Sequence, residues 1–359
     1  MVIKANKMVG ERRIAPSSAL ARQMRRMLLV GSITLFATMI VVAYLMPMGY
    51  AFNTALRGKN IETDAPFWPA RPATYTYQGE EYDIYIVPTE QGEQRWALIK
   101  KGREKSTFID PENPETPIEW NGRWRTLDRV WTFSPQWQNF KESWNTIKFG
   151  RLFLNTFAIA FIGMVGTVVS STLVAYGFSR FRIPGKSILF MILMGTIILP
   201  PQVTLVPTYT IYTRIGWTNT WLPLLVPHFF ANAYNVFLLR QFFMGIPREM
   251  DEAAMIDGAG PLRTLISVVI PQAKPAIIAV SLFHFFWAWN DFFGPLIYLT
   301  ARRDLWPISV GMQAFNALYA SQPHLVQATT VMAMALPLLI FLLAQRFFMQ
   351  GVVMTGVEK

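Results

Sequence analysis

The sequence predicts an all-α integral membrane protein of six transmembrane helices, with a small β-rich insertion on the outer side of the bilayer. Three observations carry that prediction. Of 359 residues, 52% are hydrophobic and only 15% are charged, against about 25% charged in an average soluble domain. The apolar residues lie in long charge-free blocks, as spanning helices of about 20 residues require. One stretch, Thr54 to Lys148, differs: it holds 13 Lys/Arg and 14 Asp/Glu, a soluble composition. The rest of the chain therefore carries the whole excess behind the net charge of +11. That excess flanks the apolar blocks, where it sets membrane topology, and forms no stripe suited to nucleic acid.

Taken in order, residues 1–26 are a basic N-terminus carrying Lys4, Lys7, Arg12, Arg13, Arg22, Arg25 and Arg26. The charge-free block 27–56 follows and is too long for a cleavable signal peptide, so it reads as the first span. Residues 57–130 are the insertion. Tyr82–Val87 and Arg95–Lys100 alternate as strands joined by a Gly-containing turn, and a stretch with Pro111, Pro114 and Pro117 follows. Residues 131–359 hold the other spans: Leu152–Ser179, Ser187–Thr213, Ile215–Leu239, Pro275–Asn290 continuing toward Ala301, and a last one beginning near Ala328. Arg180, Arg182 and Lys186 lie in one short loop, and Arg240, Arg248, Arg263 and Lys274 in another. Both loops share the side of the basic N-terminus, so both chain ends are expected in the cytoplasm. Arg302 and Arg303 dissent, with Asp304 beside them.

Zero cysteines exclude disulfides, thiolate metal sites, iron–sulfur clusters and cysteine nucleophiles. His228, His284 and His324 are far apart in sequence, which points away from a histidine-built metal site. No catalytic, cofactor-binding or metal-ligating residue is expected. Pro184-Gly185-Lys186-Ser187 mimics the end of a P-loop, but Arg180 stands where the loop needs its first glycine. Nucleotide is not expected to bind this chain.

The most informative segment is Ile246–Ala276, "IPREMDEAAMIDGAGPLRTLISVVIPQAKPA". Pro247 suits a helix start, and Glu249, Asp251 and Glu252 favour the positive end of its dipole. Met250, Ala253, Ala254 and Asp257 share a face at helical spacing. Gly258-Ala259-Gly260-Pro261 ends that helix and opens another that reaches Pro271. On composition this is an amphipathic connector or a compact knob.

Glu252-Ala253-Ala254, Gly258 and Ile270-Pro271 resemble the EAA loop of ABC-importer permeases. The likeness runs from about Trp131 to the C-terminus, through "FGRLFLNTF", "FLLRQFFMGIPREMDEAAMIDGAG", "WNDFFGPLIYL" and "QRFFMQGVVMTGVEK". It is similar to the maltose-type carbohydrate branch, specifically its shorter permease partner. The resemblance implies the type I importer fold in a bacterial inner membrane and a non-catalytic subunit. Its partners would be a second permease, two ATPase chains that use ATP and Mg, and an extracytoplasmic sugar-binding protein. Glu252, Ala253, Ala254, Asp257, Gly258 and Pro271 would couple to the ATPase. Gln350 and Gly351 in the tail would reach between the ATPases, and Gln313, Phe315 and Asn316 would lie in a loop toward the binding protein. The outer insertion is where the chain departs from the family, which has a short connector there.

Asn290 and Asp291 place an amide and an acid in an apolar span, as pathway lining or as structural hydrogen-bonding groups. His284 reads as a satisfied core histidine. Trp217, Trp221, Trp287, Trp289, Trp306, Tyr209 and Tyr212 read as an interfacial aromatic belt. Two other functions stay open on sequence alone. One is import of a different solute, such as a phosphorylated polyol. The other is a membrane enzyme working through Glu80, Glu81 and Asp83 of the outer segment.

Overall fold

A computed structural model of the chain describes residues 19–59, 64–90, 92–317 and 320–353. The chain divides into two units, residues 1–50 and 51–359. Helix α1 (Ala19–Ala55) makes up the described part of the first unit and enters the second. It starts before the expected Met27, because the Arg-rich approach is itself a good helix former.

The β region is larger than the two strands expected. Its strands are β1 (Ala70–Pro72), β2 (Thr74–Tyr77), β3 (Glu80–Thr89), β4 (Gly92–Lys100), β5 (Lys105–Asp110), β6 (Asn113–Asn121) and β7 (Trp131–Phe133). Strands β2 to β6 form one antiparallel sheet in sequence order. Pro114 and Pro117 sit in β6, where the sequence showed only a proline-rich stretch. Both lie between the paired residues Asn113 and Ile118, where the register with β5 shifts and no ladder pair forms, so their missing N–H groups cost no ladder bonds. Tyr85, Val87, Leu98 and Phe108 are buried under Trp96, Trp120, Trp124 and Leu127. Strand β7 pairs with β1, so the module closes at Phe133, slightly beyond the expected boundary at residue 130. Glu80 and Asp83 fall on opposite faces of β3. Glu80 accepts from the Tyr82 hydroxyl (2.8 Å) and Asp83 faces Arg129 at 3.7 Å; they do not form a carboxylate pair.

The helical part continues with α2 (Gln138–Thr146), α3 (Phe149–Arg180), α4 (Lys186–Ile198), α5 (Pro201–Arg214), α6 (Leu222–Leu225), α7 (Ala233–Met244) and α8 (Glu249–Ile256). Next come α9 (Pro261–Thr264), α10 (Ile270–Gln272), α11 (Lys274–Trp289), α12 (Phe293–Tyr298), α13 (Ile308–Gly311), a short hairpin of β8 (Asn316–Ala317) and β9 (Ala320–Ser321), and α14 (Pro323–Val353). Helix α3 is the hub. Its buried face carries Ala160, Gly163, Gly166, Thr167, Ser171 and Ala175, the small residues that let membrane helices approach closely. A Cβ on Gly166 would stand 2.8 Å from the Phe229 ring. At its start, Asn155 donates to the carbonyls of Asp304 and Trp306, both at 2.9 Å, and the Thr156 hydroxyl accepts from the Ile308 N–H at 2.9 Å. The "FLNTF" segment thus fastens α3 to the chain around α13.

Prolines break the expected spans. Ser187–Thr213 is two helices bent by 99°, because Pro200-Pro201 removes two donors and forces extended backbone ahead of it. Ile215–Leu239 is interrupted before α7, whose first turn is capped by Asn232 Oδ1 accepting from the N–H groups of Tyr234 and Asn235. The last helix begins at Pro323 rather than Ala328, with proline in the helix's first turn, where its missing N–H costs nothing. Among the described residues, Gln23–Ala55, Phe149–Arg180, Leu222–Met244 and Pro323–Gln345 are each long and apolar enough to cross a membrane. Lys186–Ile198 with Gln202–Arg214, and Pro261–Gln272 with Lys274–Trp289, pass together as bent pairs.

Candidate functional site

Helix α8 opens with Glu249, Asp251 and Glu252 in its first turn, against the positive end of the helix dipole. It ends in a Schellman motif: Gly258 N–H donates to Met255 O at 3.0 Å and Ala259 N–H to Ala254 O at 2.9 Å, satisfying carbonyls that a helix end leaves open. Gly258 has φ +78° and open space where a Cβ would sit, so the need for glycine is conformational and not steric. Gly258→Asn should therefore keep near-native thermal stability and uptake, since Asn tolerates this region. Gly258→Val should lose ~1–2 kcal/mol locally and most uptake. Equal thermal midpoints and uptake for the two variants would show that the turn does not depend on the positive φ at Gly258.

After α9 the chain takes one π-type turn at Leu265–Val269, then bends by 83° between Gln272 and Lys274. Pro271 and Pro275 explain both features. Neither has an N–H, so the carbonyls four residues earlier, Ser267 and Pro271, lose their helical donors. The expected second helix to Pro271 is thus a helical stretch ending one residue later, and Pro271 is exposed beside the bend.

Glu252, Ala253, Ala254, Asp257 and Gly258 lie together on α8 and the turn that ends it. Ala254 is half-buried and the others are exposed. Around them stand Met255 (54% exposed), Ile256 (87%), Leu262 (62%) and Ile266 (56%). These four had not been singled out. Together they form an exposed apolar patch around the acidic face of the knob.

Asp251, one residue before Glu252, does the opposite. It is buried and pairs with Arg180 at the end of α3, Nε to Oδ2 at 2.7 Å, with both side chains under 10% exposed. Arg180 Nη2 also donates to the Ile246 carbonyl at 3.0 Å. One guanidinium thus ties the hub helix to the loop before α8 and to α8 itself. In the sequence Arg180 reads as a topology-setting charge and Asp251 as a dipole partner. Only the fold brings these two residues together.

Elsewhere the candidate residues part company. Asn290 donates to Phe286 O at 2.8 Å and ends α11. Asp291 Oδ1 accepts from the Gly294 N–H at 3.2 Å, and its carbonyl accepts from Ser309 at 2.7 Å. Both residues therefore make structural hydrogen bonds, and both also line cavities, Asn290 one and Asp291 another. In the loop before α14, Gln313 and Asn316 are exposed, but Phe315 is 3% exposed. Phe315 packs inside the loop in this conformation and leaves Gln313 and Asn316 as its exposed members. Gln350 and Gly351 lie on the last turns of α14. His284 accepts from or donates to Thr167 Oγ1 at 3.2 Å and packs against His228, ring centroids 4.6 Å apart; the sequence had paired neither residue. Outside the spans, the paired guanidinium of Arg302 holds the Asp304 carboxyl down to about 2, so this dissenting loop keeps its ion pair at neutral pH. Among the described residues no group of three or more His, Cys, Asp or Glu is placed to hold a metal ion.

Comparison with known proteins identifies the family. Residues 167–353 match the family described as the inner membrane component of binding-protein-dependent transport systems. The sn-glycerol-3-phosphate transport system permease protein UgpE of Pectobacterium atrosepticum is 34% identical over 225 residues, 60% of this chain and 79% of that one. The osmoprotective compounds uptake permease protein GgtD of Synechocystis sp. is 29% identical over 211 residues, 58% and 71% of the two chains. The crystal structure of a bacterial ABC transporter that imports the acidic polysaccharide alginate superposes with a TM-score of 0.61 over 91% of this chain and 98% of that one, at 20% identity, a likeness of fold. The chain belongs to the inner-membrane permease family of binding-protein-dependent ABC importers, a non-catalytic membrane subunit whose ATPase is a separate chain.

Proposed function

We propose that this permease imports a carbohydrate or related polyhydroxy solute, and that its α8 knob receives the ATPase stroke. The observation that carries the coupling role is the split between neighbouring acids: Glu252 exposed within an apolar rim, Asp251 buried against Arg180. The rim gives a partner ATPase an apolar seat, and Glu252 supplies the charge that meets a basic residue there. The Arg180 bridge then carries displacement of α8 directly to α3, a rigid element on which the rest of the bundle packs. ATP and Mg act in the partner chains. A second permease, two ATPases and an outer binding protein complete the importer. A relative named for sn-glycerol 3-phosphate, a polyol derivative, supports the substrate class.

The topology within this reading has six crossings, each bent pair counting as one. The N-terminus, the knob and the C-terminal tail are cytoplasmic, and the β module between β1 and β7 lies outside. The chain contains no cysteine, so single cysteines report without background. Glu93→Cys, on an exposed strand end, should react with an impermeant maleimide in intact cells, and Asp257→Cys only after permeabilisation. Expressed with its two ATPases, the chain should co-purify with them and support ATP-dependent uptake in proteoliposomes. The reverse labelling pattern would overturn the topology, and failure to retain the ATPases would overturn the coupling role.

A further inference from the structure

Two cavities meet inside the helical part of the chain. One, of about 310 Å³, is lined by His228, Asn232, Tyr234, Asn235 and Trp287 among others. The other, of about 380 Å³, includes Thr208, Tyr212, Asp291 and Tyr298. His228 and Trp287 belong to both walls, so the two spaces adjoin at this pair. Each is of the size of small-molecule sites. The pair is also held in place. Gly163 leaves room for both imidazoles, since a Cβ there would stand 3.1 Å from His284 Nε2 and 3.2 Å from His228 Cδ2. His284, fixed by Thr167, in turn backs the His228 ring. Trp287 packs edge-on to His228, centroids 5.6 Å apart, yet remains 58% exposed, so much of its indole surface stays uncovered.

The chemistry of these walls is selective. Hydroxyls, amides and an imidazole both donate and accept, which suits solute hydroxyl groups, and an exposed indole face suits the C–H face of a sugar ring. Among the described residues neither wall contains a lysine or arginine, the residues that recognise phosphate and carboxylate. The one acidic side chain present, Asp291, accepts from hydroxyls and opposes an anion. We infer that this chain contributes its own solute-contacting site at His228 and Trp287, and that the site takes neutral hydroxylated solutes in preference to phosphorylated or carboxylated ones. The inference rests on the permease reading and sharpens it, because a relative is named for an anionic solute, sn-glycerol 3-phosphate.

The test uses the purified importer of this chain, its partner permease and two ATPases, without binding protein, so that the permease alone selects. Tyr234, 52% exposed at the rim of the first cavity, is replaced by cysteine, and its alkylation by N-ethylmaleimide is followed by mass spectrometry of this chain. An excess of maltose, maltotriose or glycerol should slow labelling, by about tenfold for the best of them. sn-Glycerol 3-phosphate and glucuronate should leave the rate unchanged. Adding Trp287→Ala or His228→Gln should abolish protection while the ATPases remain bound. Protection by the anions equal to or better than that by the neutral solutes would overturn the inference, as would protection by none, or protection that survives both variants. Loss of the ATPases from the parent Tyr234→Cys complex would instead count against the permease reading itself.

Discussion

Removing either partner of the Arg180–Asp251 bridge should destabilise the purified protein by ~3–5 kcal/mol, because each single change leaves an uncompensated charge in a dry site. Arg180→Met and Asp251→Leu are the informative variants, read by thermal unfolding of the detergent-solubilised complex. The double variant should recover much of the loss, since a buried ion pair replaced by apolar groups of similar size is often close to neutral. The cycle should therefore be non-additive by more than ~2 kcal/mol, within the range that contacting residues show. Recovery should stay incomplete, because Arg180 also satisfies the Ile246 carbonyl and methionine does not. The double variant should also transport poorly for its stability, having kept the fold and lost the link from α8 to α3. Additive single losses would mean the two side chains do not work as a pair.

That bridge shows where sequence reasoning stops. The existence of the spans is legible because twenty apolar residues without charge have few other uses, and α3 lies within a few residues of its expected bounds. The breaks are harder to read. Pro200-Pro201 lies within a block whose hydropathy is continuous, and the average over that block hides a bend that two missing donors create. Strand β6 is hidden for a related reason: Pro114 and Pro117 argue against a strand until the shift in its register with β5 is known. Among the site residues, the Glu252-Ala253-Ala254 face and Gly258 were legible, since local helical spacing and a C-terminal glycine are local signals. Arg180 with Asp251, and His228 with His284, are meetings of distant segments. Each member taken alone has a duller explanation: a basic loop residue, a helix-start acid, a core histidine.

The residue next to Asp251 should behave in the opposite way. Glu252→Lys changes an exposed position on the knob and reverses a charge in the first turn of α8, a cost of about 1 kcal/mol, well below that of an Asp251 variant. Its thermal midpoint should fall only slightly and its membrane insertion should be unchanged. Uptake should nevertheless fall at least about a hundredfold, because a lysine facing a basic ATPase pocket turns an attraction into a like-charge contact costing several kcal/mol. Glu252→Gln, which removes the charge and adds no repulsion, should lose less, and a charge-reversing change at the facing basic residue of the ATPase should restore part of the Glu252→Lys loss. Asp251 variants should unfold early, with lost transport a consequence, while Glu252 variants should stay folded and fail only when the ATPase has to push. A Glu252→Lys protein that transports normally would take the coupling role away from this face of α8. One that melts early would show that Glu252 holds the fold together, as Asp251 does, and does not meet a partner.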